Sequence, residues 1–293
     1  ASRTTVDHAN ANAGDRSREA THLCLLDALA CAFQALQQPA CAKVLGPVVP
    51  GATMPFGARV PGTSLQLDPV QAAFNLGTMI GWLDQRDAAL AIGDSHLSDT
   101  LAALVSVGDY CARKALAEGR APAAGRDLLA VLLDSRGPSP AAFAALDSTR
   151  ATTVDRRDAV RINVAAAIAS MLGATTVQRT RAIELAAGEM SSSTTPRAPW
   201  WLGDANARGV RLAMIAMTEE SVGDAVPPVA APQSSWPLPF DESDADRVRD
   251  RFVASVTTHF PATQAGKIKA VLLDRSRLEA LPINELVSLT VRN

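Results

Sequence analysis

Apolar residues recur along this chain at three- and four-residue intervals, the repeat of helices with one buried face. The first such segment is Thr21–Gln37, with Leu23, Leu26, Leu29, Ala30 and Phe33 turned inward and His22 at its exposed first turn. The second begins at Asp68-Pro69, an N-cap followed by proline at the first helical position, where a missing N–H costs nothing. Ala73, Gly77 and Ile80 form a small apolar stripe, which the same spacing carries on to Asp84 and Asp87. Two carboxylates are therefore expected at the polar end of one helix face. Further helices are predicted over Leu101–Ala117, from Asp127 to Leu133, Val160–Leu172, Thr175–Ala187, Gly203–Met217, Asp244–Phe260 and Gln264–Leu273. The chain then closes on a short alternating stretch, Leu286–Val291. Between the first two helices, Pro39–Pro69 is a long Gly- and Pro-rich connection, of the kind held over a neighbouring surface or used for function.

The predicted fold class is all-α, a helical bundle. Composition agrees, since 47% of the 293 residues are hydrophobic but only 4% are aromatic. That balance favours closely packed helices over aromatic-rich strands. Four segments follow. Residues 1–20 are polar and expected to be flexible, 21–225 form the main helical domain, 226–243 are a Pro-rich linker, and 244–293 are C-terminal helices.

The formal net charge is −2 with both signs interspersed, so no basic stripe points to nucleic acid or to an anionic membrane. No apolar run reaches the length of a membrane span. Cys24, Cys31, Cys41 and Cys111 form no CxxC pair and no metal-ligand spacing, so they read as core residues of an intracellular protein. No metal site and no cofactor are expected.

The chemistry gathers after the second helix. Asp84, Asp87 and His96 are an acid/base cluster in waiting, with Ser98-Asp99 as the cap of the next helix. Each also has an ordinary reading, as solvated helix-end charges or a hydrogen-bonded histidine. Arg59, in the long connection, is either a solvated cation or a reach towards an anionic ligand. Trp200 and Trp201 anchor the helix that follows them or wall a pocket, and His259 reads as structural.

The run GARVPGTSLQLDPVQAAFNLGTMIGWLD, followed by His96-Leu97-Ser98-Asp99, resembles the 2-methylcitrate dehydratase branch of the MmgE/PrpD family over about Thr21 to Tyr110. The resemblance implies metal-independent dehydration of a methylcitrate- or alkylcitrate-type tricarboxylate, in a homodimer paired through its helical domain. The setting it implies is cytoplasmic, or the mitochondrial matrix in a eukaryote. It assigns Asp84, Asp87 and His96 to catalysis, and Ser98 to the substrate. Gly203-Asp204-Ala205 with Arg208 matches a segment whose basic residue faces substrate carboxylates. Arg59 and Arg156 are further carboxylate-binding candidates, because a planar guanidinium binds carboxylate bidentately.

There are departures. Leu97 replaces a proline, and Arg156, in Val154-Asp155-Arg156, stands where the family has a histidine. Arginine stays protonated at neutral pH and cannot serve there as a base. Where the family continues into an α+β lid domain, this chain passes through VPPVAAPQSSWPLPF to a stretch resembling the family's extreme C-terminus. The lid is therefore expected to be absent, with the C-terminal helices returning to the helical domain. A lidless pseudoenzyme that binds a polycarboxylate or a family member without turnover is the alternative, and a purely structural helical module is the third.

Overall fold

A computed structural model describes residues 2–86, 90–92, 95–135, 155–189, 198–218 and 240–292, with the backbone only at 2–13, 91–92 and 95. The Pro-rich linker therefore lies almost wholly outside the described residues. So does Asp87.

Helix α1 runs over Ser2–Ala35. From Thr21 to Phe33 every side chain is buried, His22 included. The sequence assigned one face of this helix to solvent. The C-terminal helices cover that face, and His22 Nε2 donates to the Leu272 carbonyl at 2.6 Å. The segment expected to be a flexible terminus is helical from Ser2, and ion pairs tie its second half to the C-terminal helices. Arg275 reaches Asp15 at 2.6 Å, and Arg249 reaches Glu19 at 2.6 Å.

After a short helix α2 (Pro39–Ala42), the long connection pairs β1 (Ala58–Arg59) with β2 (Gln66–Leu67), antiparallel, with Ala58 opposite Leu67. Asp68 then caps α3 (Pro69–Gly81), accepting from the Val70 and Gln71 amides at 3.0 Å each. The cap and the N1 proline stand as the sequence predicted. A second two-residue ladder, β3 (Ala91–Ile92) with β4 (Ser95–His96), leads into a 3-10 turn over Leu97–Thr100 and then α4 (Leu101–Ala117).

Helices α5 (Gly125–Asp134), α6 (Arg156–Met171), α7 (Thr176–Gly188) and α8 (Trp201–Thr218) follow. The small-residue stripe of α3 is where α8 crosses it. A Cβ on Gly77 would lie 2.8 Å from Gly203 Cα, and one on Gly203 would lie 2.3 Å from the Phe74 carbonyl. Two glycines thus let the backbones approach closely.

The chain ends in α9 (Glu242–His259), α10 (Ala262–Leu272), α11 (Arg275–Ala280) and α12 (Ile283–Thr290). Helix α9 lies along α1, α11 against α5, and α12 against α4. The closing stretch is helical rather than alternating. Ile283, Leu286, Val287 and Thr290 are all buried, a helical repeat that the alternating appearance of Leu286–Val291 obscures. His259 is structural, as read. Its Nε2 donates to the Gly62 carbonyl at 2.7 Å, and its ring stacks on Phe33 at 5.6 Å. Among the described residues no helix is long and apolar enough to cross a membrane. Cys24, Cys31 and Cys41 sit in the core, and burial pushes the Cys41 thiol up to about 11.

Candidate active site

Helix α3 stops at Gly81, and this breaks the carboxylate spacing. Asp84 lies beyond the helix at φ +47, a left-handed conformation that aspartate tolerates, and its side chain is 79% exposed. It is not on a helix face with Ala73 and Gly77. Two residues on, Arg86 turns the other way and its side chain is only 1% exposed.

The centre of the site is Asp99, on the 3-10 turn. Its Oδ2 accepts from the His96 amide at 3.1 Å, which locks the turn. Arg86 Nη1 donates to its Oδ1, and Arg156 Nη2, from the first turn of α6, lies 3.2 Å from both oxygens. Two guanidinium groups converge on one buried carboxylate. Trp201, at the start of α8, lies over Arg156 with its ring centroid 5.2 Å from the guanidinium carbon, while Trp200 is exposed. The turn itself is clamped from α8 by Asn206, which is fully buried. Its side chain donates to the Asp99 carbonyl at 2.8 Å and accepts from the Ala103 amide at 3.0 Å.

His96 sits at the edge of this cluster, and its Nδ1 is buried without a hydrogen-bond partner. Burial first, and then the positive field of Arg86, push its pKa down to about 4. Asp99 opposes that shift, Arg156 adds to it, and Asp84 acts weakly through its field. The imidazole is therefore neutral at pH 7, with one nitrogen able to accept a proton. Ser98 is buried on the same turn.

The structure brings together His96, Ser98 and Arg156 of the residues singled out from sequence. It does not bring Arg59 or Arg208. Arg59 is a strut: its Nη2 donates to Asp109 at 2.7 Å, its Nε at 3.2 Å, and its backbone amide at 2.8 Å. Arg208 is half exposed on α8, paired with Asp204 at 3.0 Å and with Glu189 at 3.7 Å. Sequence reasoning missed Arg86 and Asn206. Asn206 carries a signal, because it falls four residues after Leu202 and four before Val210 on the buried face of α8. Among the described residues, no group of three His, Cys, Asp or Glu side chains is placed to hold a metal ion.

A carboxylate-and-arginine cluster thus sits on a helical body, where α3 ends and α4, α6 and α8 begin. The chain matches the MmgE/PrpD N-terminal domain over residues 3–226, more than half its length, and belongs to that family. It is 40% identical over 210 residues to 2-methylcitrate dehydratase of Escherichia coli strain K12, covering 69% of this chain and 43% of that protein. Over 205 residues it is 43% identical to 2-methylcitrate dehydratase of Cupriavidus necator, covering 67% and 42%. A fungal alkylcitrate dehydratase is 31% identical over 220 residues, covering 70% and 44%. The chain spans less than half the length of these relatives.

Proposed function

We propose that this chain is a 2-methylcitrate dehydratase-like hydro-lyase acting on a methylcitrate- or alkylcitrate-type tricarboxylate, with its proton transfers made by side chains rather than a metal. The observation that carries the reading is a neutral, partnerless imidazole nitrogen beside a surplus of buried guanidinium charge. Dehydration removes a proton from the carbon next to a carboxylate. The C–H electron pair becomes the new C=C bond as the C–O bond breaks, and the hydroxyl leaves as water. His96 Nδ1 takes the proton, which departs with that water. Arg156 holds a substrate carboxylate and so stabilises the charge that develops on it. Asp84, at the exposed rim, and Asp87, outside the described residues, are the remaining acid/base candidates.

Appearance of the double bond from 2-methylcitrate, followed by ultraviolet absorbance, tests the reading. His96→Ala should lower kcat by about 10²–10⁴-fold, the usual loss of a positioned general base. Turnover that is indifferent to His96→Ala, or none with any alkylcitrate, would overturn it.

A second reading is favoured by the double hold of Arg86 and Arg156 on Asp99. In it the chain binds the tricarboxylate without turnover. That predicts stabilisation by about 2.7 kcal/mol at a ligand concentration one hundred times Kd, with no product formed.

A further inference from the structure

We propose that Arg86 is a carboxylate-binding residue of this site, and that the Nε–Nη2 edge of its guanidinium receives a ligand carboxylate as a bidentate pair. The inference rests on the polycarboxylate reading above and adds a residue that neither the resemblance nor the comparisons assign. Of the three nitrogens of Arg86, Nη1 is engaged by Asp99. The other two, Nε and Nη2, are buried and have no hydrogen-bond partner among the described residues. These two N–H groups lie on one edge of the planar group, the fork that matches the two oxygens of a carboxylate.

Leaving charged donors buried and unpaired costs more than leaving neutral ones so, and such a fork is expected to meet an acceptor. Asp84, the other described acid beside Arg86, does not meet it. Asp84 Oδ1 stands 3.8 Å from Nη2, beyond hydrogen-bonding distance, with its side chain turned to solvent. Among the described residues the buried charge is also two guanidiniums to one carboxylate, with Asp84 paired to Arg86 only from the solvent side. Arg86 and Arg156 share the single carboxylate of Asp99, and Arg156 Nε is likewise buried without a partner. An acid with several carboxylates supplies what the cluster lacks: one group for the Arg86 fork and another for Arg156. The backbone beside Arg86 is fixed from α9, where Arg251 donates to the Gln85 carbonyl and pairs with the buried Asp27 of α1. The fork is therefore presented on a braced loop.

The test is calorimetric titration of citrate and of propane-1,2,3-tricarboxylate, neither needing turnover, into the wild-type chain, Arg86→Gln and Arg86→Lys. Arg86→Gln should weaken binding by about 10–100-fold. Arg86→Lys keeps the charge and guards against misfolding, but it has no fork, and should not recover wild-type affinity. Equal affinity in all three overturns the proposal, as does full recovery with lysine. Dehydration of 2-methylcitrate by a protein whose binding ignores Arg86 would remove this inference and leave the hydro-lyase standing. Arg86-dependent binding without turnover would do the reverse. A wild-type chain that binds neither acid would remove both.

Discussion

Asp109 and Asp99, two of the buried aspartates that hold arginine, differ in stoichiometry. Asp109, on α4, meets one guanidinium, from Arg59, and accepts from its Nε, its Nη2 and its backbone amide, while Nη2 also donates to the Asn284 carbonyl. Neither side chain leaves a buried polar atom unpaired. Asp99 meets two guanidiniums, and Arg86 Nε and Nη2, Arg156 Nε and His96 Nδ1 are left around it without partners among the described residues. The first is a closed account that fastens β1 to α4 and α12. The second is an over-supplied cation cluster beside a neutral imidazole. Burial and ion pairing are common to both, so neither marks a site. What sets Asp99 apart among the described residues is a second guanidinium on one carboxylate, with a partnerless imidazole nitrogen beside it.

The contrast can be broken most forcefully at the closed pair. Asp109→Asn strands Arg59 in the interior and should cost about 3–5 kcal/mol in denaturant unfolding, since removing one partner of a buried pair leaves an uncompensated charge. Loss of less than about 1 kcal/mol would show that Arg59 is not a strut.

A smaller effect is expected from pH at the open cluster. His96 has a folded pKa of about 4 against an ordinary 6.5, so folding favours the neutral form. The stability tied to that preference is complete above pH 6.5 and is lost as pH falls towards 4. It amounts to at most about 3 kcal/mol. Urea unfolding of wild type and His96→Gln at pH 7 and pH 4.5 should show the variant losing less on acidification. Identical losses would contradict a buried, cation-flanked imidazole.

The smallest effect is at Trp201. Trp201→Phe keeps an aromatic face over Arg156 and should cost no more than about 1 kcal/mol, read from the same unfolding curves. A larger cost would mean that Trp201 holds the cluster by something other than its ring.

Much of the helical frame was legible in the chain because its signals are local. Asp68-Pro69 announces the start of α3, and the Gly77 stripe announces a close crossing that Gly203 completes. The site was legible only in part, because its decisive events are not local. Nothing in the spacing of Ala73, Gly77 and Ile80 says that the helix ends at Gly81, so Asp84 was carried onto a face that it leaves. Asp84-Gln85-Arg86-Asp87 reads as a solvated charge run, whereas the 3-10 turn and Asp99 bury Arg86. His22 looked exposed until helices more than two hundred residues away closed over it. Arg156 was singled out through the family resemblance, not through its own surroundings. Arg208, singled out the same way, is spent on Asp204 and Glu189.

The central claim is that polycarboxylate binding belongs to the over-supplied cluster around Asp99 and not to arginines already satisfied elsewhere. Calorimetric titration of citrate into wild type, Arg156→Gln and Arg208→Gln at pH 7 tests it directly. The account predicts one site per chain, weakened about tenfold or more in Arg156→Gln and essentially unchanged in Arg208→Gln. Undiminished binding in Arg156→Gln, with loss in Arg208→Gln, would contradict it.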